Sequence, residues 1–124
     1  MPALNQSRAL RVAAVLGALA VALGAFGAHG LKEVLARHGT IEIWEKAVFY
    51  HFIHTVMLFL LAQREPLQRG PWLSFLAGIV IFSGSLYVLA FTGQKWLGAI
   101  TPLGGVSFIM GWVWLALAPP GRSK

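Results

Sequence analysis

From Phe82 to Trp112 the chain reads FSGSLYVLAFTGQKWLGAITPLGGVSFIMGW, and Lys95 is the only charge in it. The stretch reads as the end of one apolar helix, a short exposed turn, and the start of another. Gly, Ser and Thr recur in it wherever a helix would need a close neighbour. Membrane helices pack in this way, because lipid gives apolar side chains no reason to prefer each other over the acyl chains. The composition agrees. The 124 residues are 57% hydrophobic and 11% charged, against about 25% charged in a soluble domain. The net charge of +6 is no nucleic-acid footprint, since the basic residues sit singly or in pairs at the ends of apolar runs, where they orient a membrane protein. With no cysteine, disulfides, Cys-based zinc sites and thiol chemistry are excluded.

Four spans follow from the charge-free runs, at approximately 12–31, 44–64, 72–91 and 102–118. The first is about 20 residues long, enough to cross a bilayer. Arg8 and Arg11 precede it, so a cleaved signal peptide is the rival reading. The run is long for such a peptide and carries a small-residue seam of Ala13, Gly17, Ala20, Gly24 and Gly27, which a discarded segment would not need. Leu31 to His38 is amphipathic and predicts a short helix lying in the interface. Gly39 stops it through the left-handed conformation. Thr40 is expected to cap the second span. Pro66 to Pro71 predicts a tight basic turn. Thr101 is expected to cap the fourth span, with Pro102 at its first position, and Pro119 and Pro120 to end it. Four spans put both termini on one side, with Arg8, Arg11, Arg64, Arg69, Arg122 and Lys124 there, against Lys32, Arg37, Lys46 and Lys95 opposite. The bias places the termini in the cytoplasm of a cell-membrane protein, with Trp44 and Trp96 at the outer interface and Trp72 at the inner one.

Four motifs carry a family resemblance. They are LGAFGAHGL at Leu23 to Leu31, the Trp, Ala, Tyr-His and His-Thr positions from Trp44 to Thr55, FSGSLY with LA at Phe82 to Ala90, and TPLGGVSF with GW at Thr101 to Trp112. Spread in order over nearly the whole chain, they resemble the YgdD-type small membrane proteins of bacteria. That is a domain-of-unknown-function family with small eukaryotic transmembrane relatives. The resemblance implies a four-span inner-membrane protein and brings no activity, cofactor or catalytic residue with it. The family pattern commonly has Gln where this chain has His51, whereas His54 matches.

Three features compete for a functional role. The first is a polar layer in the outer half of the bundle, made of His29, His51, His54, Ser83, Ser85 and Ser107. His51 and His54 are three apart and share a helix face. With His29 they form a candidate set for zinc, copper or haem. The competing reading is that each imidazole hydrogen-bonds a neighbouring Ser, Tyr or carbonyl. No acid lies within the spans to support a metal ligand. The second feature is the small-residue set: Gly17, Ala20, Gly24 and Gly27 in helix one, with Gly104, Ser107, Gly111 and Ala118 in helix four. Close helix packing explains it better than a pathway lined by carbonyls. Because both helices carry a seam, helices one and four are expected to make the closest contact. The third feature is TPLGG, where a helix N-terminus backed by Gly could hold an anion but is more simply a cap and a packing contact. No Ser-His-Asp set, intramembrane carboxylate pair or HExxH is present.

These readings converge on an all-α, four-helix transmembrane bundle of up-down topology, a single domain of 1–124. It has no cofactor or metal, and its partners are the lipid bilayer and either itself or other membrane proteins. A non-enzymatic packing or accessory role comes first. A small transporter or channel using the His/Ser layer is the alternative, and a metal or haem carrier ranks last.

Overall fold

The computed structural model describes residues 3–118, and they are almost wholly helical. In chain order they form α1 (Gln6–Ala28), α2 (Lys32–His38), α3 (Ile41–Ala62), α4 (Arg69–Gly78), a π-helical turn (Ile79–Ser83), α5 (Gly84–Thr92), a 3-10 segment (Lys95–Ala99) and α6 (Thr101–Leu117). Four of the helical stretches are long and apolar enough to span a membrane: 6–28, 41–62, 69–92 and 95–117. Each helix begins before its charge-free run and ends short of that run's far end. The third span begins at Arg69, which puts Pro71 in its first turn, where an absent N–H breaks no intrahelical bond. Pro119, Pro120, Arg122 and Lys124 lie outside the described residues.

The ends of the elements follow local chemistry. Asn5 caps α1 by accepting from the Arg8 N–H at 2.9 Å. Gly39, at φ +66°, closes the interfacial helix α2. The N–H of Thr40 reaches back to the Leu35 carbonyl and that of Gly39 to Ala36, the paired bonds of a Schellman motif. Gly93 closes α5 in the same left-handed region, at φ +74°. The two expected threonine caps are not made. Thr40 Oγ1 instead donates to the Ala90 carbonyl at 2.6 Å, and Thr101 Oγ1 pairs with Ser85 Oγ at 2.6 Å. Both hydroxyls are buried between elements, where a tertiary partner is nearer than the helix's own first turn.

The four spans pack in chain order. α3 runs along α1 on one side and along the third span on the other, and α6 lies along α4 and the π turn. The second and third spans are more deeply buried than the first and fourth, so the middle pair is central and the outer pair flanks it. The expected seam-to-seam contact of helices one and four is not formed. Each seam faces side chains on a different neighbour. On α1, Gly17, Gly24 and Gly27 lie under Thr55, Val48 and Trp44 of α3, and Ala20 between them is buried. On α6, Gly104 lies against the Phe82 backbone and Gly111 against the Phe75 ring. The relation is reciprocal, since Gly78 and Gly70 of α4 lie under Phe108 and Trp114 of α6. A small residue lets two backbones approach, and here the notch is filled by a larger side chain of the partner helix rather than by a second glycine.

The π turn inserts one residue into the third span and so shifts the helix face. Below it, α4 faces α6. Above it, α5 faces α2 and the 3-10 segment while keeping α3. Two apolar clusters result. One gathers Leu58, Leu61, Trp72, Phe75 and Phe108 with Ala9 and Ala13 near the terminal side. The other gathers Leu35, Trp44 and Ala90 at the far side. Trp96 is exposed, as an interfacial anchor is, but Trp44 and Trp72 turn inward. Their indole N–H groups donate to the Leu23 and Leu58 carbonyls at 2.8 and 3.1 Å.

Candidate functional site

Most of the buried polar side chains lie on α3 and the third span. His54 is the most constrained. Its Nδ1 is 2.8 Å from the Tyr50 carbonyl, and a carbonyl only accepts, so Nδ1 carries the proton. The other nitrogen, Nε2, is therefore the acceptor for the Trp112 indole N–H at 3.0 Å. The ring also stacks on Phe108, with centroids 3.7 Å apart and planes 13° from parallel. Both nitrogens of this neutral imidazole are thus engaged, leaving no lone pair for a metal.

His51, one turn away, is buried and pairs through Nδ1 with the Tyr87 hydroxyl at 2.7 Å. Its Nε2 has no hydrogen-bond partner among the described residues, and neither has the buried Thr55 Oγ1. Spaced four apart, the two share the face of α3 that packs on α1, where Thr55 lies over Gly17.

The serines each tie two helices together or steady one. Ser83 Oγ donates to the Ala47 carbonyl of α3 at 2.8 Å. Ser85 Oγ pairs with Thr101 and also reaches the Phe82 carbonyl at 3.0 Å. Ser107 Oγ donates to the Ser74 carbonyl at 2.7 Å, linking α6 to α4. His29 stands apart. It is the C-terminal cap residue of α1, exposed, and not joined to His51 or His54. No group of three His, Cys, Asp or Glu that could hold a metal ion occurs among the described residues. The buried groups do not share one depth. His51 lies about 15 Å along α3 from Ile41, near the middle of the helix, and His54 and the Ser107–Ser74 pair lie further toward the terminal side. Sequence reading allowed a tyrosine or carbonyl partner without singling out Tyr87, and it missed Trp112. Their only signal was a polar tip on a large apolar side chain within a span, since buried Tyr and Trp seek a partner.

The start of α6 shows the packing role of TPLGG. Gly104 faces the Phe82 backbone, and Pro102 sits in the first turn. The four glutamates, Glu33, Glu42, Glu45 and Glu65, are all exposed, so no carboxylate meets the buried histidines.

Fold and site together define a polytopic, four-span integral membrane protein whose polar interior joins helix to helix. A family model described as a protein of unknown function (DUF423) matches residues 23–105. UPF0382 membrane protein YwdK of Bacillus subtilis is 45% identical over 120 residues, which cover 88% of this chain and 96% of that protein. A UPF0382 membrane protein of Staphylococcus aureus is 45% identical over 113 residues, covering 84% and 91%. Another from Staphylococcus epidermidis is 46% identical over 118 residues, covering 88% and 95%. The chain belongs to this DUF423 family of small membrane proteins, and the resemblance read from its four motifs is borne out. The matched region takes in His29, His51, His54, Ser83, Ser85 and Gly104, and leaves Ser107, Gly111 and Trp112 beyond its end. No solved structure matches the chain.

Proposed function

We propose that the protein is a non-enzymatic component of the cell membrane that packs with itself or with a larger membrane complex, its termini in the cytoplasm. The observation that carries this reading is the use made of the interior polar groups. His54, Ser83 and Ser107 are spent on bonds to a neighbouring helix, and no acid stands beside them to run proton or hydrolytic chemistry. Leu103, Val106, Ile109, Met110 and Leu117 lie exposed along the outer face of α6, open to a partner helix and to acyl chains alike. Extraction in mild detergent followed by mass measurement of the intact complex tests the proposal. A homo-oligomer or a co-purifying membrane partner is expected, and a bare monomer at native expression level would count against it.

A second reading, a small conduit, rests on one observation: His51 Nε2 and Thr55 Oγ1 are buried without partners among the described residues. Solute or proton flux into liposomes that His51→Gln abolishes without lowering the melting temperature would favour the conduit over the packing component.

A further inference from the structure

Between α1, α2 and α3 an open groove of about 660 Å³ runs down the far half of the protein. That volume lies in the range of small-molecule sites. Its floor is made by Ala20, Gly24, Gly27 and Trp44, its sides by exposed apolar residues such as Val21, Ala25, Phe49 and Ile53, and its mouth carries one cation, Lys32, and one anion, Glu45. From Glu45, at the headgroup level, to Ile53 the apolar part of the groove follows α3 for about 12 Å, most of one leaflet of a hydrocarbon core about 30 Å thick. The groove is apolar throughout except where it meets the headgroup level, and there the two charges are of opposite sign.

We propose that this groove is a binding site for a single phospholipid with an amine-bearing headgroup. An acyl chain lies over the glycine floor, Lys32 meets the phosphate, and Glu45 meets the ammonium. Each half of the recognition has its own chemical basis. An apolar chain in the groove gains contacts with side chains on three elements, where a flat helix face offers one. At the mouth, a phosphate next to an ammonium repeats in reverse the cation and carboxylate that the protein presents, and charge-assisted hydrogen bonds are the stronger kind. An anionic headgroup without an amine satisfies Lys32 and leaves Glu45 facing like charge. The glycines that let α1 approach α3 thus have a second consequence, since their missing side chains deepen the groove on its outer edge.

The test uses the full chain reconstituted in vesicles of equal parts phosphatidylethanolamine, phosphatidylglycerol and phosphatidylcholine, extracted in mild detergent, with retained lipid read by native mass spectrometry. One phosphatidylethanolamine per chain is expected, enriched about tenfold over phosphatidylglycerol, the factor that one charge-assisted bond supplies. Ala25→Trp fills the groove from its exposed side and should abolish retention. Ala116→Trp, on an exposed position of α6, should leave it unchanged. Glu45→Gln should remove the preference over phosphatidylglycerol, and Lys32→Gln should lower retention of both. Glu45 and Lys32 are exposed, so these two variants decide the matter even if Ala25→Trp fails to fold. Lipid retained in vesicle proportions, unchanged selectivity in Glu45→Gln, or a second copy of the chain in place of lipid would each overturn the proposal.

Discussion

The indole N–H of Trp112 donates to Nε2 of His54 at 3.0 Å, joining the fourth span to the second. Since Nδ1 of the same ring is held by the Tyr50 carbonyl, this bond fixes the imidazole as a neutral acceptor. Trp112→Phe removes the donor and leaves a buried nitrogen unpaired. In membrane bundles such bonds are worth about 0.6 kcal/mol on average and up to about 1.7. A loss of about 1 kcal/mol is expected for Trp112→Phe, and about 2 kcal/mol or more for His54→Ala, which also empties the space stacked on Phe108. Reversible unfolding in bicelles measures both. Additivity in the double variant would show that the two residues do not interact.

The glycines separate into those that meet a wall and those that do not. A methyl at Gly104 would fall on the Phe82 backbone, which cannot rotate away, and a larger side chain at Gly111 would meet the Phe75 ring. Gly104→Ala and Gly111→Leu are each expected to destabilise by about 1–3 kcal/mol through overpacking. At Gly84 no heavy atom lies within 4 Å of an added methyl and the backbone is helical. Gly84→Ala should be neutral or stabilising by up to about 1 kcal/mol, from helix propensity. Equal melting temperatures for Gly104→Ala and Gly84→Ala would contradict this account of the third and fourth spans.

The π turn makes a claim about register. Val80 is exposed within it, so deleting Val80 removes no core side chain. The deletion restores a regular helix and turns α5 by about 100° relative to α4, the angle per residue at 3.6 residues per turn. Ser85 then leaves Thr101 and the Ala90 carbonyl leaves Thr40. With each buried bond contributing about 1 kcal/mol, a loss of about 2 kcal/mol or more is expected, whereas Val80→Ala should change stability by under about 1 kcal/mol. Thermal melts of the two variants that coincide would remove the register argument.

The chain has no native cysteine, so its orientation can be read by single-cysteine labelling. Lys95 is exposed at the start of the 3-10 segment that opens the fourth span, and Arg64 is exposed at the opposite end. With cytoplasmic termini, a membrane-impermeant maleimide applied to intact cells should label Lys95→Cys and spare Arg64→Cys. The reverse pattern would invert the proposed topology.

Much of this architecture was legible without coordinates. A bilayer about 30 Å thick requires long runs free of charge, and such runs cannot be hidden in a sequence. The interfacial helix and its stop at Gly39 were legible too, because amphipathicity and a left-handed glycine are local. Trp44 shows where legibility ended. Its amphipathic ring fits an interface as well as a core, and only the position of the Leu23 carbonyl turned it inward.

What the residues alone determined, then, is that four rods cross the membrane and that the first and fourth each carry a face of small side chains suited to close contact. Which rod each face meets was decided by the tertiary structure. Periodicity assigns a residue to a face but says nothing of the neighbour, and a glycine notch accepts a ring such as Phe75 as readily as a second notch. The same holds for the buried polar groups. His51 and His54 need partners by virtue of being in lipid, yet Tyr87 and Trp112 became those partners only because the π turn and the glycines of α6 set the third and fourth spans at the register and distance where the bonds close.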